Sequence, residues 1–247
     1  MNDNISRLAE IIKSSDNIVF FGGAGVSTES GIPDFRSADG IYNQKYKYPP
    51  ERIVSHSFFI SNTSDFYTFY REKMLHPDAM PNKAHYALAE LERQGKLKAI
   101  VTQNVDGLHH KAGSLNVFEL HGSRSRYFCM DCGMKYPMDV VFEAEDIPTC
   151  KCGGVIRPDV VLFEESLDDM VIAKSVDAIM RADVLIVGGT SLNVYPAAGL
   201  IQYYNGNKLV LINKSETPFD SQANLIIREP IGETLDAALR AMINDEQ

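Results

Sequence analysis

The chain has 247 residues, of which 45% are hydrophobic and 23% are charged, which suits a globular protein of one large domain or of one domain with an insertion. The formal net charge of −9 argues against a general binder of nucleic acids or anionic membranes. No secretory signal opens the sequence, and no apolar run approaches the roughly 18 residues that cross a bilayer. We therefore expect a cytoplasmic protein without nucleic-acid or membrane partners.

The first strong pattern is a buried strand at 17–21, preceded by an amphipathic helical stretch and followed by Gly22, Gly23 and Gly25. At this position in dinucleotide-binding folds, backbone N–H groups approach a pyrophosphate. The third glycine of that pattern is absent, because Thr28 stands in its place. A stiff, aromatic and charged loop follows instead of a helix, and a phosphate-binding turn alone does not explain that loop.

Apolar runs alternate with helical patterns along much of the remaining chain. We expect further strands at 97–103, 182–189, 208–213 and 223–229. We expect helices at 83–95, 168–181 and 232–243. This alternation predicts an α/β fold with a doubly wound, Rossmann-like parallel sheet, in which ligands bind at the carboxyl ends of the strands.

Two segments interrupt this alternation. Residues 38–82 are rich in aromatic side chains and are predicted to be a helical insertion, whereas 125–157 hold all four cysteines. We predict that the two insertions pack together as a smaller domain over the ligand edge of the sheet. The Rossmann-like domain would then consist of 1–37, 83–124 and 158–247.

The cysteines form two close pairs, which predicts a zinc ribbon. They are Cys129, Cys132, Cys150 and Cys152. In a reducing compartment such a cluster indicates metal ligands rather than disulfides, and four thiolates leave no open position on a tetrahedral zinc ion. We therefore expect one structural zinc ion per chain, and the alternative is four free thiols.

Polar side chains follow the strand at 97–103, namely Gln103, Asn104 and Asp106. Because the carboxyl end of a parallel strand faces the ligand crevice, these side chains are candidate ligand contacts. A polar strand exit stabilised by Asx turns is the alternative interpretation.

One of the six histidines is a candidate functional residue. His121 comes just before the cysteine segment, at the seam of the two predicted domains, where a histidine could act near neutral pH. His109 and His110 are expected to face solvent or to cap a helix.

The sequence does not favour hydride transfer. A dehydrogenase would carry an acidic residue about 20 positions after the glycine turn, at the end of a second strand, and the chain enters the aromatic insertion there. Thr190, Ser191 and Asn213 instead close later strands, where they could hold phosphate and ribose hydroxyls.

Six ordered motifs together resemble those of the sirtuins, which are NAD-dependent protein-lysine deacylases. They are GAGVSTESGIPDFR (23–36), TQNVDGLH (102–109), HG (121–122), the paired cysteines, GTSLNVYPAA (189–198) and IN (212–213). The match extends over essentially the whole chain and is most similar to small bacterial members. It implies removal of acetyl or other neutral acyl groups from protein lysines, with NAD as co-substrate and with nicotinamide and O-acyl-ADP-ribose as products.

The resemblance also implies roles for individual residues. His121 would be the general base and Asn104 a second catalytic residue. The loop after the glycines would fold over nicotinamide. NAD contacts are expected from Ala24, Thr28, Phe35, Arg36, Gln103, Val105, Asp106, His121, Thr190, Ser191, Asn213 and Ile231. A substrate peptide would pair as an added strand with segments that include Val161, Phe163, Asn193 and Val194.

The chain departs from the family pattern at three places. Gly22 replaces a threonine, and Glu164 replaces a glycine of the peptide groove, where its side chain is expected to crowd or charge the groove. Members that remove acidic acyl groups carry Tyr-x-x-Arg, whereas here Tyr67 is followed by Tyr70, with Arg71 one residue farther on. One residue turns a helix by about 100°, so Arg71 should point elsewhere, which favours neutral acyl groups.

Two other functions stay open at this point. One is a mono-ADP-ribosyltransferase, although a base for a ribose hydroxyl is not needed for simple transfer. The other is a non-catalytic NAD-binding regulator whose peptide groove is obstructed by Glu164. In each case we expect a monomer.

Overall fold

The computed structural model describes residues 3–37 and 40–244, so the first two residues of the predicted helical insertion lie outside the described residues. The helices are α1 (Asp3–Lys13), α2 (Pro50–Ile53), α3 (His56–Ser61), α4 (Thr63–Phe69), α5 (Lys83–Arg93), α6 (Leu108–Lys111), α7 (Asp139–Glu143), α8 (Asp169–Arg181) and α9 (Ile231–Asn244). The strands are β1 (Ile18–Gly22), β2 (Leu97–Thr102), β3 (Val117–Glu119), β4 (Gly122–Cys129), β5 (Lys135–Tyr136), β6 (Ile156–Val160), β7 (Val184–Gly188), β8 (Leu209–Ile212) and β9 (Leu225–Ile227).

The larger sheet has six parallel strands in the order β3-β2-β1-β7-β8-β9. The predicted doubly wound α/β fold is therefore confirmed, together with the five predicted strands. The sixth strand, β3, was not predicted, because three residues are too few to show a periodic pattern. None of the helices within the described ranges has the length and apolar character needed to cross a membrane.

Both faces of this sheet are covered by helices. Ile18 and Phe20 of β1 pack in one core with α1, α5 and α9, whereas Val19 and Phe21 pack in a second core with α8. Because successive side chains of a strand point to opposite faces, a strand buried on both faces is continuously apolar. This is why β1 consists of Ile-Val-Phe-Phe-Gly, with every residue buried.

A second sheet contains the cysteine segment. It is antiparallel, in the order β5-β4-β6, and extends from Gly122 to Val160, somewhat beyond the predicted limits of 125–157. A third core joins it to the helical insertion, with Phe59 and Phe66 packed together with Tyr127. The two insertions therefore share a core, while the division of the chain into two domains at the stated residues stays a prediction.

The strand order reverses at β1, which lies between β2 and β7. The ends of these three strands are in register, since Gly22 is paired with Thr102 on one side and with Gly188 on the other. In open α/β sheets, ligands bind in the crevice at such a reversal point. The candidate site is therefore expected where β1, β2 and β7 end.

Candidate active site

The glycine turn after β1 packs tightly against the end of β7. Gly23 N–H donates to the carbonyl of Gly188 at 3.3 Å, and Gly25 N–H donates to that of Gly189 at 2.8 Å. A Cβ atom at Gly25 would lie 2.8 Å from the Gly189 Cα, so a side chain there would force the two segments apart. The neighbouring strand end already accepts these two N–H groups, so a pyrophosphate at this turn would have to use other donors.

A hydrogen-bonded group of side chains links this turn to the end of β2. Ser27 Oγ donates to Asp106 Oδ2 at 2.7 Å, and Asn104 Nδ2 donates to Ser27 Oγ at 3.1 Å. The other oxygen of Asp106 accepts the N–H of Leu108 at 2.9 Å. Asp106 is thus held through both oxygens, and its bond to the N–H of Leu108, two residues farther on, forms an Asx turn at the strand exit.

Ser27 is a site residue that the sequence analysis did not single out. It is 1% exposed, although it lies in a polar loop between Val26 and Thr28. A buried hydroxyl normally has a hydrogen-bond partner, and here it joins two predicted site residues. Its place inside the motif at 23–36 was the only available signal.

Gln103 and Thr190 connect the ends of β2 and β7. Gln103 Nε2 donates to Thr190 Oγ1 at 3.0 Å, and the Thr190 hydroxyl also accepts the N–H of Leu192 at 3.2 Å. These residues are thus brought together across β1, although 87 positions separate them in the chain.

His121 lies at the same edge, between β3 and β4. Its Nδ1 is 2.9 Å from the carbonyl oxygen of Gln103, which can only accept, so Nδ1 carries the proton of the neutral ring and Nε2 has the free lone pair. Burial lowers the pKa of His121, and the bond to Gln103 opposes that shift. A neutral imidazole with an available Nε2 has the form that a general base requires.

The predicted substrate segment after β6 reaches this histidine. Val161 N–H donates to the His121 carbonyl at 3.0 Å. The N–H of Phe163 donates to Val54 and its carbonyl accepts from His56, both at 3.0 Å. Both backbone groups of Phe163 are therefore taken by the helical insertion, so a peptide that pairs with this segment has to use other backbone groups.

The loop that follows the glycine turn is held against the helical insertion. The rings of Phe35 and Tyr42 lie 5.4 Å apart, and the guanidinium carbon of Arg36 lies 5.3 Å from the centre of the Tyr42 ring. Asp34 Oδ1 accepts the backbone N–H groups of Arg36 at 3.0 Å and of Ser37 at 2.8 Å. Phe35 is half-buried and Arg36 is exposed, so both retain surface for a ligand.

The remaining predicted site residues lie in loops at the same edge of the sheet, with one exception. Ala24 and Thr28 belong to the two short 3₁₀ turns after β1. Loop positions after β2, β7 and β8 hold Val105, Ser191, Asn193, Val194 and Asn213. Ile231 begins α9 and is only 4% exposed, with its Cδ1 close against Gly188, so its predicted contact with adenine stays a prediction.

The histidine prediction failed at one position. His109 was expected to face solvent or to cap a helix, yet it is 2% exposed, and its ring lies 4.8 Å from that of the fully buried His85. The reason is that the first residues of α6 face the sheet, where the centre of the His109 ring lies 6.2 Å from that of Phe20. His110 is exposed, in agreement with the prediction.

The residues around the Tyr-x-x-Arg position are directed as the helical spacing predicts. Tyr70 is buried, with its hydroxyl 3.3 Å from that of Tyr127. Arg71 points away from it, and its Nε donates to the carbonyl of Val141 at 2.9 Å. Arg71 therefore does not occupy the place of the arginine in that motif.

The four cysteines come together as the sequence predicts. Their Sγ atoms all lie within 4.8 Å of one another, with Cys129 and Cys152 at 3.5 Å and Cys132 and Cys150 at 3.6 Å. Four thiols at this spacing fit the tetrahedral coordination of zinc, with Zn–S distances of about 2.3 Å. Tyr136, which the sequence analysis did not mention, donates its hydroxyl to Cys150 Sγ at 3.0 Å.

The fold and its ligand edge define a dinucleotide-binding α/β protein with a zinc-ribbon sheet. The family model described as the Sir2 family matches residues 23–196, and the chain belongs to this family. It is 60% identical over 241 residues to an "NAD-dependent protein deacetylase" of Clostridium acetobutylicum (96% of this chain, 98% of that protein) and 50% identical over 239 residues to one of Cutibacterium acnes (96% and 98%).

Solved structures agree with this assignment. A Sir2 enzyme matches with a TM-score of 0.90 and 40% identity over 99% of both chains. A Sir2 complex with p53 peptide and NAD+ matches with a TM-score of 0.85 and 40% identity over 98% of both chains. A Sir2 variant with deacetylated p53 peptide and 3'-O-acetyl ADP-ribose matches with a TM-score of 0.89 and 39% identity, over 96% of this chain and 97% of that one.

Proposed function

We propose that this chain removes acetyl and other neutral acyl groups from protein lysine side chains, with NAD as co-substrate and with nicotinamide and O-acyl-ADP-ribose as products. The observation that carries the proposal is His121, whose Nδ1 is bound to the Gln103 carbonyl at 2.9 Å beside the polar end of β2. Membership of the Sir2 family and the relatives named as NAD-dependent deacetylases support the same reaction.

In this reaction His121 is the general base. Cleavage of the glycosidic bond of NAD releases nicotinamide, and the acyl oxygen of the modified lysine attacks the ribose. His121 Nε2 then takes the proton from a ribose hydroxyl, which attacks the acyl carbon. The bond from Nδ1 to Gln103 keeps the ring in the required tautomer, and burial favours its neutral form. Water completes the release of lysine.

Asp106 is assigned to the nicotinamide end of NAD, Asn104 to the adjoining ribose, and Thr190 to the adenosine side. This assignment is supported by the rigidity of the group, since Ser27 bonds to both Asp106 and Asn104. Side chains that are already fixed lose little conformational freedom when a ligand binds. The other predicted NAD contacts keep the roles given to them by the resemblance.

The substrate peptide is proposed to lie between the segment after β6 and the loop after β7. The bond from Val161 N–H to the His121 carbonyl at 3.0 Å ties the first segment to the base. Asn193 and Val194 of the second segment are exposed and half-buried, so they can contact a peptide. An extended peptide between two such segments would form an added strand.

One product analysis separates this function from the two alternatives. The protein is incubated with NAD and an acetyl-lysine peptide, and the products are identified by mass. Acetyl-ADP-ribose with free lysine peptide supports deacylation. ADP-ribose bound to protein supports mono-ADP-ribosyl transfer, and unconsumed NAD supports a non-catalytic regulator. Either of the last two results, obtained with folded protein, would overturn the proposal.

We also propose a monomer that resides in the cytoplasm and binds no nucleic acid. The formal net charge of −9, which repels polyanions, supports the absence of nucleic-acid binding. The cysteine cluster, which suits a reducing compartment, supports the cytoplasm. Light scattering of the purified protein would test the monomer, and a dimer at micromolar concentration would contradict it.

A further inference from the structure

Arg124 is a buried cation with no function in the reaction described above. It lies on β4, three residues after His121, and is 7% exposed. Its two terminal nitrogens donate to the carbonyls of Met74 at 3.1 Å and of His76 at 3.2 Å. Carbonyl oxygens carry only partial charge, and a guanidinium has five N–H donors, so these two bonds neither neutralise nor saturate it.

No carboxylate forms an ion pair with Arg124 within residues 3–37 and 40–244. Asp106 is near enough to supply part of the opposing charge, but its two oxygens are bonded elsewhere, one by Ser27 at 2.7 Å and the other by Leu108 N–H at 2.9 Å. Removing an arginine from water without a direct ion pair is costly. A buried guanidinium with no direct ion pair and with N–H donors to spare is therefore a ready partner for an anion.

The position of Arg124 indicates which anion. Its backbone N–H donates to the carbonyl of Val105 at 2.9 Å, directly beside Asp106 at the proposed nicotinamide end. Its side chain extends from there toward the helical insertion, where the hydroxyl of Tyr70 lies within its electrostatic reach. The guanidinium thus lies near Asp106, at the proposed nicotinamide end, and near Tyr70, which stands at the arginine position of the Tyr-x-x-Arg motif.

We propose that Arg124 binds the terminal carboxylate of a dicarboxylic acyl group, so that the chain also removes acyl groups such as succinyl from lysine. The proposal rests on the deacylase function proposed above and extends its substrate class beyond neutral acyl groups. The reaction is unchanged: the succinyl group moves from the lysine nitrogen to ADP-ribose, and nicotinamide leaves. Arg71, which points toward Val141, takes no part, because the cation comes from β4 rather than from the helical insertion.

The test compares three peptides of one sequence, carrying acetyl-, butyryl- or succinyl-lysine. Butyryl and succinyl groups have the same number of carbons, so only the carboxylate distinguishes them. Wild type is expected to give a higher kcat/KM for the succinyl than for the butyryl peptide. The Arg124→Gln variant is expected to lose about tenfold or more of kcat/KM on the succinyl peptide, chiefly through KM, because the carboxylate contact is equal in ground and transition states.

Two further variants make the result specific. Arg124→Lys keeps the positive charge and is expected to retain most of the preference for the succinyl peptide. Arg126→Gln, on the same strand but half-exposed and paired with Glu119 and Asp159, should leave all three peptides as in wild type. Melting temperatures of all variants are measured in parallel, because Arg124 also ties β4 to the segment at 74–76.

Three outcomes overturn the inference. In the first, wild type turns over the acetyl peptide but does not prefer succinyl to butyryl, which leaves the deacylase function intact. In the second, Arg124→Gln lowers turnover of all three peptides equally, which is the result of a purely structural role. In the third, folded wild type consumes NAD with none of the peptides, and the proposed function falls together with the inference.

Discussion

The carboxylate of Glu164 is bound to Ser57 at the beginning of α3. Oε2 accepts the backbone N–H of Ser57 at 2.9 Å, and Oε1 accepts its hydroxyl at 3.0 Å. Glu164 has a φ of 76°, in the left-handed region that favours glycine. The expectation that this side chain crowds or charges the peptide groove is thus not what the structure shows, because the carboxylate is directed to the helical insertion.

Two substitutions of Glu164 separate the hydrogen bonds from the backbone strain. Glu164→Ala should lower the free energy of unfolding by about 1–2 kcal/mol, because it loses charged hydrogen bonds and keeps the positive φ. Glu164→Gly should cost less, since glycine adopts this φ without strain. Urea unfolding measures both, and equal stability of the two variants would contradict this explanation. The KM for peptide should stay close to the wild-type value in both variants.

We expect the protonation of His121 to set the acid limb of the pH–rate profile. Burial lowers its pKa from 6.5, so the neutral base persists below that pH, and kcat/KM should fall only as the pH drops through a value under 6.5. His121→Ala should abolish acyl-lysine turnover while NAD still binds, which calorimetry can verify. An acid limb centred above 6.5, or an active His121→Ala variant, would remove this histidine from the proposed role.

The zinc ribbon should depend on its metal. Metal analysis should find about one zinc per chain, and Cys150→Ala should unfold the sheet formed by β4, β5 and β6. Tyr136→Phe keeps all four thiolates but loses the hydroxyl bond to Cys150 Sγ, so it should retain zinc and release it faster to a chelator. A wild-type protein that folds cooperatively without metal would show that the cysteines are free thiols.

The buried histidines should make stability depend on pH. Burial lowers the pKa of His85 from 6.5 to about 4, and its Nδ1 accepts the N–H of Asn82 at 3.2 Å, a bond that protonation destroys. The unfolded chain therefore binds this proton at a higher pH than the folded chain does. The stability that the neutral His85 contributes is complete above pH 6.5 and is lost as the pH falls toward 4. The loss from this residue is on the order of 3 kcal/mol.

Urea unfolding at several pH values tests this dependence. His85→Gln should flatten the decline of stability between pH 6.5 and 4, whereas His110→Gln, at an exposed position of α6, should leave the decline as in wild type. The same slope in wild type and in His85→Gln would mean that His85 does not resist protonation in the folded state.

The sheet could be predicted from the sequence because its strands are long, apolar and buried on both faces, as in β1. The cysteine spacing likewise predicted the metal ligands, since pairs of cysteines have few other uses in a reducing compartment. The strand β3 and the burial of His109 could not be predicted, because neither leaves a periodic pattern. His109 is polar, and only the packing of α6 on Phe20 and His85 places it inside.

The side-chain contacts of the site could not be predicted from the sequence for a different reason. The bond between Gln103 and Thr190, and the binding of Asp106 by Ser27, join residues that are 87 and 79 positions apart. Such pairs depend on strand order and register, which no local pattern specifies. The contact between Glu164 and Ser57 belongs to the same class, and for that reason the departure at Glu164 was first assigned to the groove.

The most direct test of the proposed reaction follows the acyl group itself. A peptide with a ¹³C-labelled acetyl-lysine is incubated with NAD and the protein, and labelled acetyl-ADP-ribose and nicotinamide are quantified together. We predict one labelled acetyl-ADP-ribose for each nicotinamide released, with the lysine left free. Release of nicotinamide while the label stays on the peptide, or appears first as free acetate, would contradict transfer of the acetyl group to ADP-ribose.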